Sequence, residues 1–220
     1  MNMPSHICTT KGRPPAGQDR RARILDNALI LFAEQGVSGT TVAQIAQAAG
    51  VTSAMVHYYF HTREGLLDAL VDERLAPRIQ YIWEWVSEDT CAEPQQIVTE
   101  IITRLLDVVD AMPQLPQLWN REIFHANGCM RERLMRHVPL EKFARVRDSL
   151  LQAQRTGRVH PDISPDLVVT SAISLIMLPL AARKFFQGFP VFPTVEKEKL
   201  GKHAITLMLH GLLTNNGEQP

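Results

Sequence analysis

The chain has 220 residues, 45% of them hydrophobic and 21% charged, a balance ordinary for a globular protein of one or two domains with a substantial core. Its formal net charge is zero, so overall charge argues neither for nor against nucleic acid; the distribution says more, with six Lys/Arg against three Asp/Glu in residues 1–63 and seventeen against twenty in residues 64–220. A basic N-terminal part on an acidic remainder fits a DNA-binding head carried by a different kind of domain. Cys8, Cys91 and Cys129 are odd in number and widely spaced. They form neither a disulfide framework nor a zinc pattern, and a reducing cytoplasm is the compartment expected. No signal peptide is expected, because the first residues lack a basic start followed by an apolar core. The longest apolar run, around Leu167–Ala182, is interrupted by Thr170, Ser171, Ser174 and Pro179. It falls short of the ~20 residues that span a bilayer and reads as a buried helix.

Residues 1–17 are rich in Pro, Gly, Ser and Thr and are expected to be disordered. Lys11, Arg13, Arg20, Arg21 and Arg23 make a basic arm running into the first helix, suited to phosphates or an adjacent minor groove; a solvated tail is the plain alternative. Asp19 to Gln35 reads as a helix with Ile24, Leu25, Ala28, Leu29, Leu31 and Phe32 on one stripe, ended by Gly36. Residues 40–60 then read as two short helices joined by a tight turn. Thr41 and Gln44 form a capping box, and Val42, Ile45, Ala46 and Ala49 an apolar face. Gly50 stands where the first of these helices must stop, and Thr52 or Ser53 can cap the second. Small residues at Ala43, Ala46, Ala48 and Ala49 suit a close, steep crossing. This is the helix-turn-helix pattern, whose second helix enters the major groove.

In order and spacing, Thr40-Thr41-Val42, Ile45-Ala46, Ala49-Gly50-Val51-Thr52, Tyr58-Tyr59-Phe60 and Arg63-Glu64-Gly65-Leu66-Leu67 resemble the motifs of the TetR family of transcriptional repressors. The likeness covers roughly residues 18–70. Arg63 stands where a lysine is usual, and Ala54 and His57 where glycine and tyrosine are common. The resemblance implies an all-α fold: a three-helix head over residues 18–63, a larger helical ligand-binding and dimerisation domain over 64–214, and a flexible tail over 215–220, about nine helices altogether.

On the reading helix, Thr52, Ser53, Ala54 and Met55 lie at the end that reaches base edges, with hydroxyls for hydrogen bonds and apolar groups for thymine methyls. His57, Tyr58 and Tyr59 suit phosphates, although one tyrosine can instead support the helix from behind; Phe60 reads as core. Thr62 caps the next helix, and Arg63 at its start, beside exposed N–H groups, reads as a phosphate spot. The expected DNA-contact set is Arg20, Arg21, Thr41, Thr52, Ser53, Ala54, Met55, His57, Tyr58, Tyr59 and Arg63.

The helix from 63 is expected to run to about Ser87 as a lever between the two domains. Further helices are expected at 95–111, 116–127, 130–137, 140–156, 165–187 and 194–214, the fifth opened by Ser164, Pro165 and Asp166 and apolar almost all round. Surplus apolar surface near 166–186 and 195–213 fits a two-fold dimer interface, as a palindromic double-stranded operator requires; an ordinary internal core is the alternative. Trp83, Met112, Trp119, Phe124, His125 and Met177 are the ligand-binding candidates, although plain packing explains each residue taken singly. The resemblance implies that this domain binds a small-molecule inducer that releases a homodimeric repressor from DNA. The alternative is a protein-interaction or dimerisation module without an inducer. No cofactor, membrane contact or enzymatic activity is expected: there is no G-x-S-x-G, phosphate-cradling glycine loop or H-E-x-x-H, and His125, Cys129 and His137 read as an accidental scatter rather than a metal site.

Overall fold

The computed structural model describes residues 16–87, 92–124, 128–186 and 196–214. Among these residues the chain forms ten helices and no strand, with one isolated antiparallel bridge between Val159 and Leu213. The head comprises α1 (Ala16–Gln35), α2 (Val42–Ala49) and α3 (Ser53–Phe60). Helix α4 runs through Arg63–Leu70, Val71–Leu75 and Ala76–Trp83. Then follow α5 (Pro94–Ala111), α6 (Leu115–Leu118 continuing as Trp119–Ile123) and α7 (Arg131–Met135). Last come α8 (Leu140–Arg155), α9 (Pro165–Phe186) and α10 (Lys197–Leu212).

The head folds on the signals its sequence carries. The Thr41 Oγ1 accepts from the Gln44 N–H at 3.2 Å, and the Gln44 Oε1 accepts from the Thr41 N–H at 2.7 Å, closing the capping box reciprocally. Gly50 adopts φ 64°, ψ 40°, the left-handed conformation, and the Val51 N–H returns to the Ala46 carbonyl at 2.9 Å. Thr52 and Thr62 cap α3 and α4 through their hydroxyls, on Met55 N at 3.3 Å and Gly65 N at 3.0 Å. Ile24, Leu25, Ala28 and Phe32 of α1 are buried in one cluster with Ile45, Ala46 and Ala49 of α2 and Val56 and Phe60 of α3. With α1 packed on α2 and α2 on α3, the head is held by packing as well as by the turn.

Helix α4 leaves the head and enters the body without breaking, but Val71–Leu75 is wound wider, as a π-helical segment, with the Ala76 N–H reaching the Val71 carbonyl. Pro77 explains the change. It has no N–H to donate, and its ring would crowd the carbonyl of residue 73 in an α-helix; a wider turn lets the rod continue. The regular helix ends at Trp83, short of Ser87, and α6 ends at Ile123, short of residue 127.

In the body α5 is central, packing against the second half of α4 and against α8, α9 and α10. Helix α9 departs from the expectation of cover on both sides. Pro165–Arg183 is 19 residues long with mean hydropathy 1.7, enough by length and composition to cross a membrane, and 39% of that stretch is buried. One side meets α5, α8 and α10, while Leu167 and Leu178 remain 59% and 62% exposed.

Because Gly50 holds a left-handed conformation that an L side chain resists, Gly50→Ala should cost about 1–2 kcal/mol of head stability. Thermal unfolding by circular dichroism measures the loss.

Candidate nucleic-acid interface and buried cavity

The α3 caps present one edge of the head to solvent. Thr52, Ser53, Ala54 and His57 are exposed, and Tyr58 is 76% exposed, too much for a core aromatic of a short helix. Met55 is half-buried. Tyr59 is the tyrosine that supports the helix: it packs against the core and stands edge-on to Tyr58, ring centroids 5.4 Å apart. His57 Nδ1 lies 3.3 Å from the His61 carbonyl, and His61 closes α3 with a positive φ of 60°. Thr41, exposed at the start of α2, and Arg20, exposed on α1, flank the same helices.

Two arginines of the expected DNA set make contacts within the molecule. The Arg63 guanidinium turns back onto the loop between α1 and α2, donating to the Thr40 carbonyl at 2.6 Å and to the Val37 carbonyl. Arg21 pairs with Glu73 and lies over the Phe60 ring, 4.9 Å from its centroid. Arg23 of the basic arm donates to the Ala49 carbonyl at 2.6 Å, satisfying the open end of α2. The sequence shows the charge of these side chains but not the carbonyls that folding brings to them. Residues 1–15, with Lys11 and Arg13, lie outside the described residues.

Head and body meet across a cleft of about 840 Å³ lined by Val37, Ser38, Arg63, Glu64 and Leu67 on one side and by Gly128, Cys129, Arg131, Glu132, Arg133 and Met135 on the other. A buried carboxylate bonds a residue from each of its two sides. Glu122, 6% exposed, accepts from the Val37 N–H of the head at 2.7 Å and from the Cys129 N–H at 3.3 Å. Gly36 makes this approach possible: its φ is 81°, and a Cβ there would stand 3.2 Å from the Glu122 Oε1. Beside it the Arg121 guanidinium donates to the Glu34 carbonyl at 2.7 Å. A second clamp grips α4 from α7, where Arg133 pairs with Glu64 and, at 2.7 Å, with Asp68. Arg136 reaches Asp68 at 3.1 Å, and His137 Nε2 lies 2.8 Å from Asp72. Burial pushes the Asp68 carboxyl up, but hydrogen bonds and charge from Arg133 and then Arg136 outweigh it and hold the group below its ordinary value.

The body encloses a cavity with about 80 Å³ of water-accessible space. Leu75, Ile79, Ile82 and Trp83 of α4 form one wall, Ile101, Leu105 and Val108 of α5 a second, and Leu115, Trp119 and Ile123 of α6 a third. Val169, Ile173 and Met177 of α9 close it, with Phe143 of α8 against Trp83 at 4.0 Å between centroids. Of the ligand candidates, Trp83, Trp119 and Met177 meet here. Phe124 is 63% exposed and lines a separate shallow pocket with Trp119 and Met177. Met112 is buried but not part of the lining, and His125 lies outside the described residues. Phe143 and the aliphatic walls were missed because they are indistinguishable from core residues until the helices assemble.

Residues 24–70 match the family model described as bacterial regulatory proteins, tetR family. The head of this chain is that of a TetR-family helix-turn-helix regulator of transcription. The regulator is 24% identical over 157 residues to the probable HTH-type transcriptional regulator YttP of Bacillus subtilis (strain 168), a match covering 71% of this chain and 75% of that protein. It is 28% identical over 118 residues to the HTH-type transcriptional repressor KstR2 of Rhodococcus jostii (strain RHA1), covering 51% and 57%. Its fold is that of the ketosteroid transcriptional regulator KstR2 of Mycobacterium tuberculosis, with a TM-score of 0.68 over 89% of this chain and 96% of that one at 20% identity.

The Asp68 clamp fixes a direction of pH dependence. A depressed carboxylate contributes fully above its ordinary value of 3.8 and loses that contribution as the pH falls through the lowered value. The side chain is 44% exposed, so salt screens the effect and it is small. Asp68→Asn should therefore be less stable than wild type at neutral pH and should close that gap below about pH 4, as parallel acid titrations followed by circular dichroism would record.

Proposed function

We propose that the regulator is a homodimeric repressor, acting in the cytoplasm, that leaves a palindromic operator when a small apolar molecule enters the body cavity. The observation that carries this reading is the two-sided geometry of residues 119–123. Trp119 and Ile123 face the cavity, while Arg121 and Glu122 between them hold the turn that joins α1 to α2. At about 80 Å³ the cavity is far smaller than the roughly 300–1,000 Å³ of a drug-sized ligand site. A ligand therefore has to push its walls apart, and close-packed walls move as units rather than yielding atom by atom. Moving the 119–123 turn pulls on Val37; moving the Trp83 end of α4 pulls on Arg63 and the clamp at Asp68. Either displacement re-aims α3, and a ligand that favours the displaced form shifts the population away from DNA.

On this reading the DNA face is Thr52, Ser53, Ala54, Met55, His57 and Tyr58, with Arg20 and Thr41 alongside. Ser53 and Ala54 stand at base edges, while His57 and Tyr58 stand at phosphates. Arg63 and Arg21 act indirectly, by holding the α1–α2 loop and the back of α3. The uncovered face of α9 and α10, with Leu167, Leu178 and Leu207 each more than half exposed, supports pairing with a second copy. Two heads can then meet half-sites about 34–36 Å apart.

Footprinting on the DNA upstream of its own gene, at several salt concentrations, tests the whole reading. A two-fold symmetric protected site with a steep salt slope is expected; weak binding indifferent to sequence would refute it. Leu178→Glu should give monomers in light scattering and lose the site. Glu122→Ala should cost about 1–3 kcal/mol by stranding the Val37 N–H and should blunt release by ligand more than it weakens operator binding. Trp83→Ala should alter release while leaving operator affinity nearly intact. Ligand-independent operator binding, with no ligand shifting the melting temperature, would favour a dimerisation module without an inducer.

A further inference from the structure

The cavity has one polar feature. Every lining side chain is aliphatic, aromatic or methionine except Arg78, which stands on α4 between Leu75 and Ile82. Arg78 is also solvent-exposed, so it marks the place where the cavity meets water. Its neighbours along the rod are committed: Arg74 pairs with Asp26 at 2.6 Å and reaches the Ala22 carbonyl at 3.2 Å. Arg104, on the facing helix, is held by Glu100 at 2.9 Å and by the Tyr81 carbonyl at 2.9 Å. Arg78 makes no hydrogen bond or ion pair among the described residues.

We infer that the ligand of this cavity is an amphipathic monocarboxylate, its apolar body among Trp83, Trp119 and Met177 and its carboxylate on the Arg78 guanidinium. The inference rests on the ligand-released reading above and adds the chemical class of the ligand. An apolar body gains by leaving water for walls that offer it no competing polar group. A carboxylate dragged into those walls without a partner would carry a prohibitive desolvation cost, so the acid end must stay at the mouth. Arg78 suits that place. Its aliphatic stem can lie along the wall while the planar fork, half in water, takes both carboxylate oxygens. A cation of the same shape meets repulsion there, and a neutral alcohol gains no charge-assisted bond.

The experiment uses the full-length protein and three ten-carbon probes below their micelle concentrations: decanoate, 1-decanol and decylamine. Binding is read by tryptophan fluorescence and by the shift in melting temperature. Wild type should bind decanoate at least about tenfold tighter than decanol, the scale of one hydrogen bond to a charged group, with decylamine weakest. Arg78→Gln should lose that factor for decanoate and leave decanol unchanged, and Arg78→Lys should keep the preference for the acid. Decanol or decylamine matching decanoate on wild type would overturn the assignment, as would an Arg78→Gln loss shared equally by acid and alcohol. Binding of none of the three would overturn it differently, by removing the cavity reading on which it rests.

Discussion

The carboxylate of Glu122 on the Val37 N–H joins the head of the regulator to its body. A carboxylate that is 6% exposed needs donors, and here the donors are backbone N–H groups of Val37 and Cys129 rather than a mobile cation. Backbone donors are fixed by the chain around them, so the contact transmits position as well as energy. It holds because Gly36 keeps side-chain atoms out of the way and because α1 packs directly on the start of α6.

Two π-helical segments lie where the head hangs from the body, Val71–Leu75 in α4 and Trp119–Ile123 in α6. Each rotates the side chains that follow it relative to a straight α-helix. In α4 the rotation follows from Pro77 and separates the part gripped by Arg133 from the part lining the cavity. In α6 it allows neighbouring residues to face opposite ways, Glu122 to the head and Ile123 to the cavity. Insertion into a helix is a common device for re-aiming side chains at functional sites, and here both insertions lie between the cavity lining and the contacts to the head.

Much of the head was legible because its signals are local. Thr41, Gln44, Gly50, Thr52 and Thr62 act on backbone groups within a few residues, so their sequence positions predict their partners. The arginines were not legible in the same way. Arg21, Arg23 and Arg63 carry the charge that phosphate binding would use, but each finds a partner within the fold that lies 26 or more residues away. In the body, periodicity located the helices to within a few residues, and Trp83, Trp119 and Met177 did converge on one cavity. Phe124 and Met112 did not join them, because an apolar residue's place on its helix does not say which neighbour covers it.

The sequence by itself determined the all-α class and the helix-turn-helix head with its caps, since these depend on short-range hydrogen bonding and on the 3.6-residue period, and its motifs carried the resemblance of that head to the TetR family. Only the tertiary structure decided that α9 keeps an uncovered apolar face, that Trp83, Trp119 and Met177 line one small cavity, and that Glu122 reaches the head. Each of these depends on side chains distant in the chain competing for the same space, and close packing settles such competitions only once the helices are assembled.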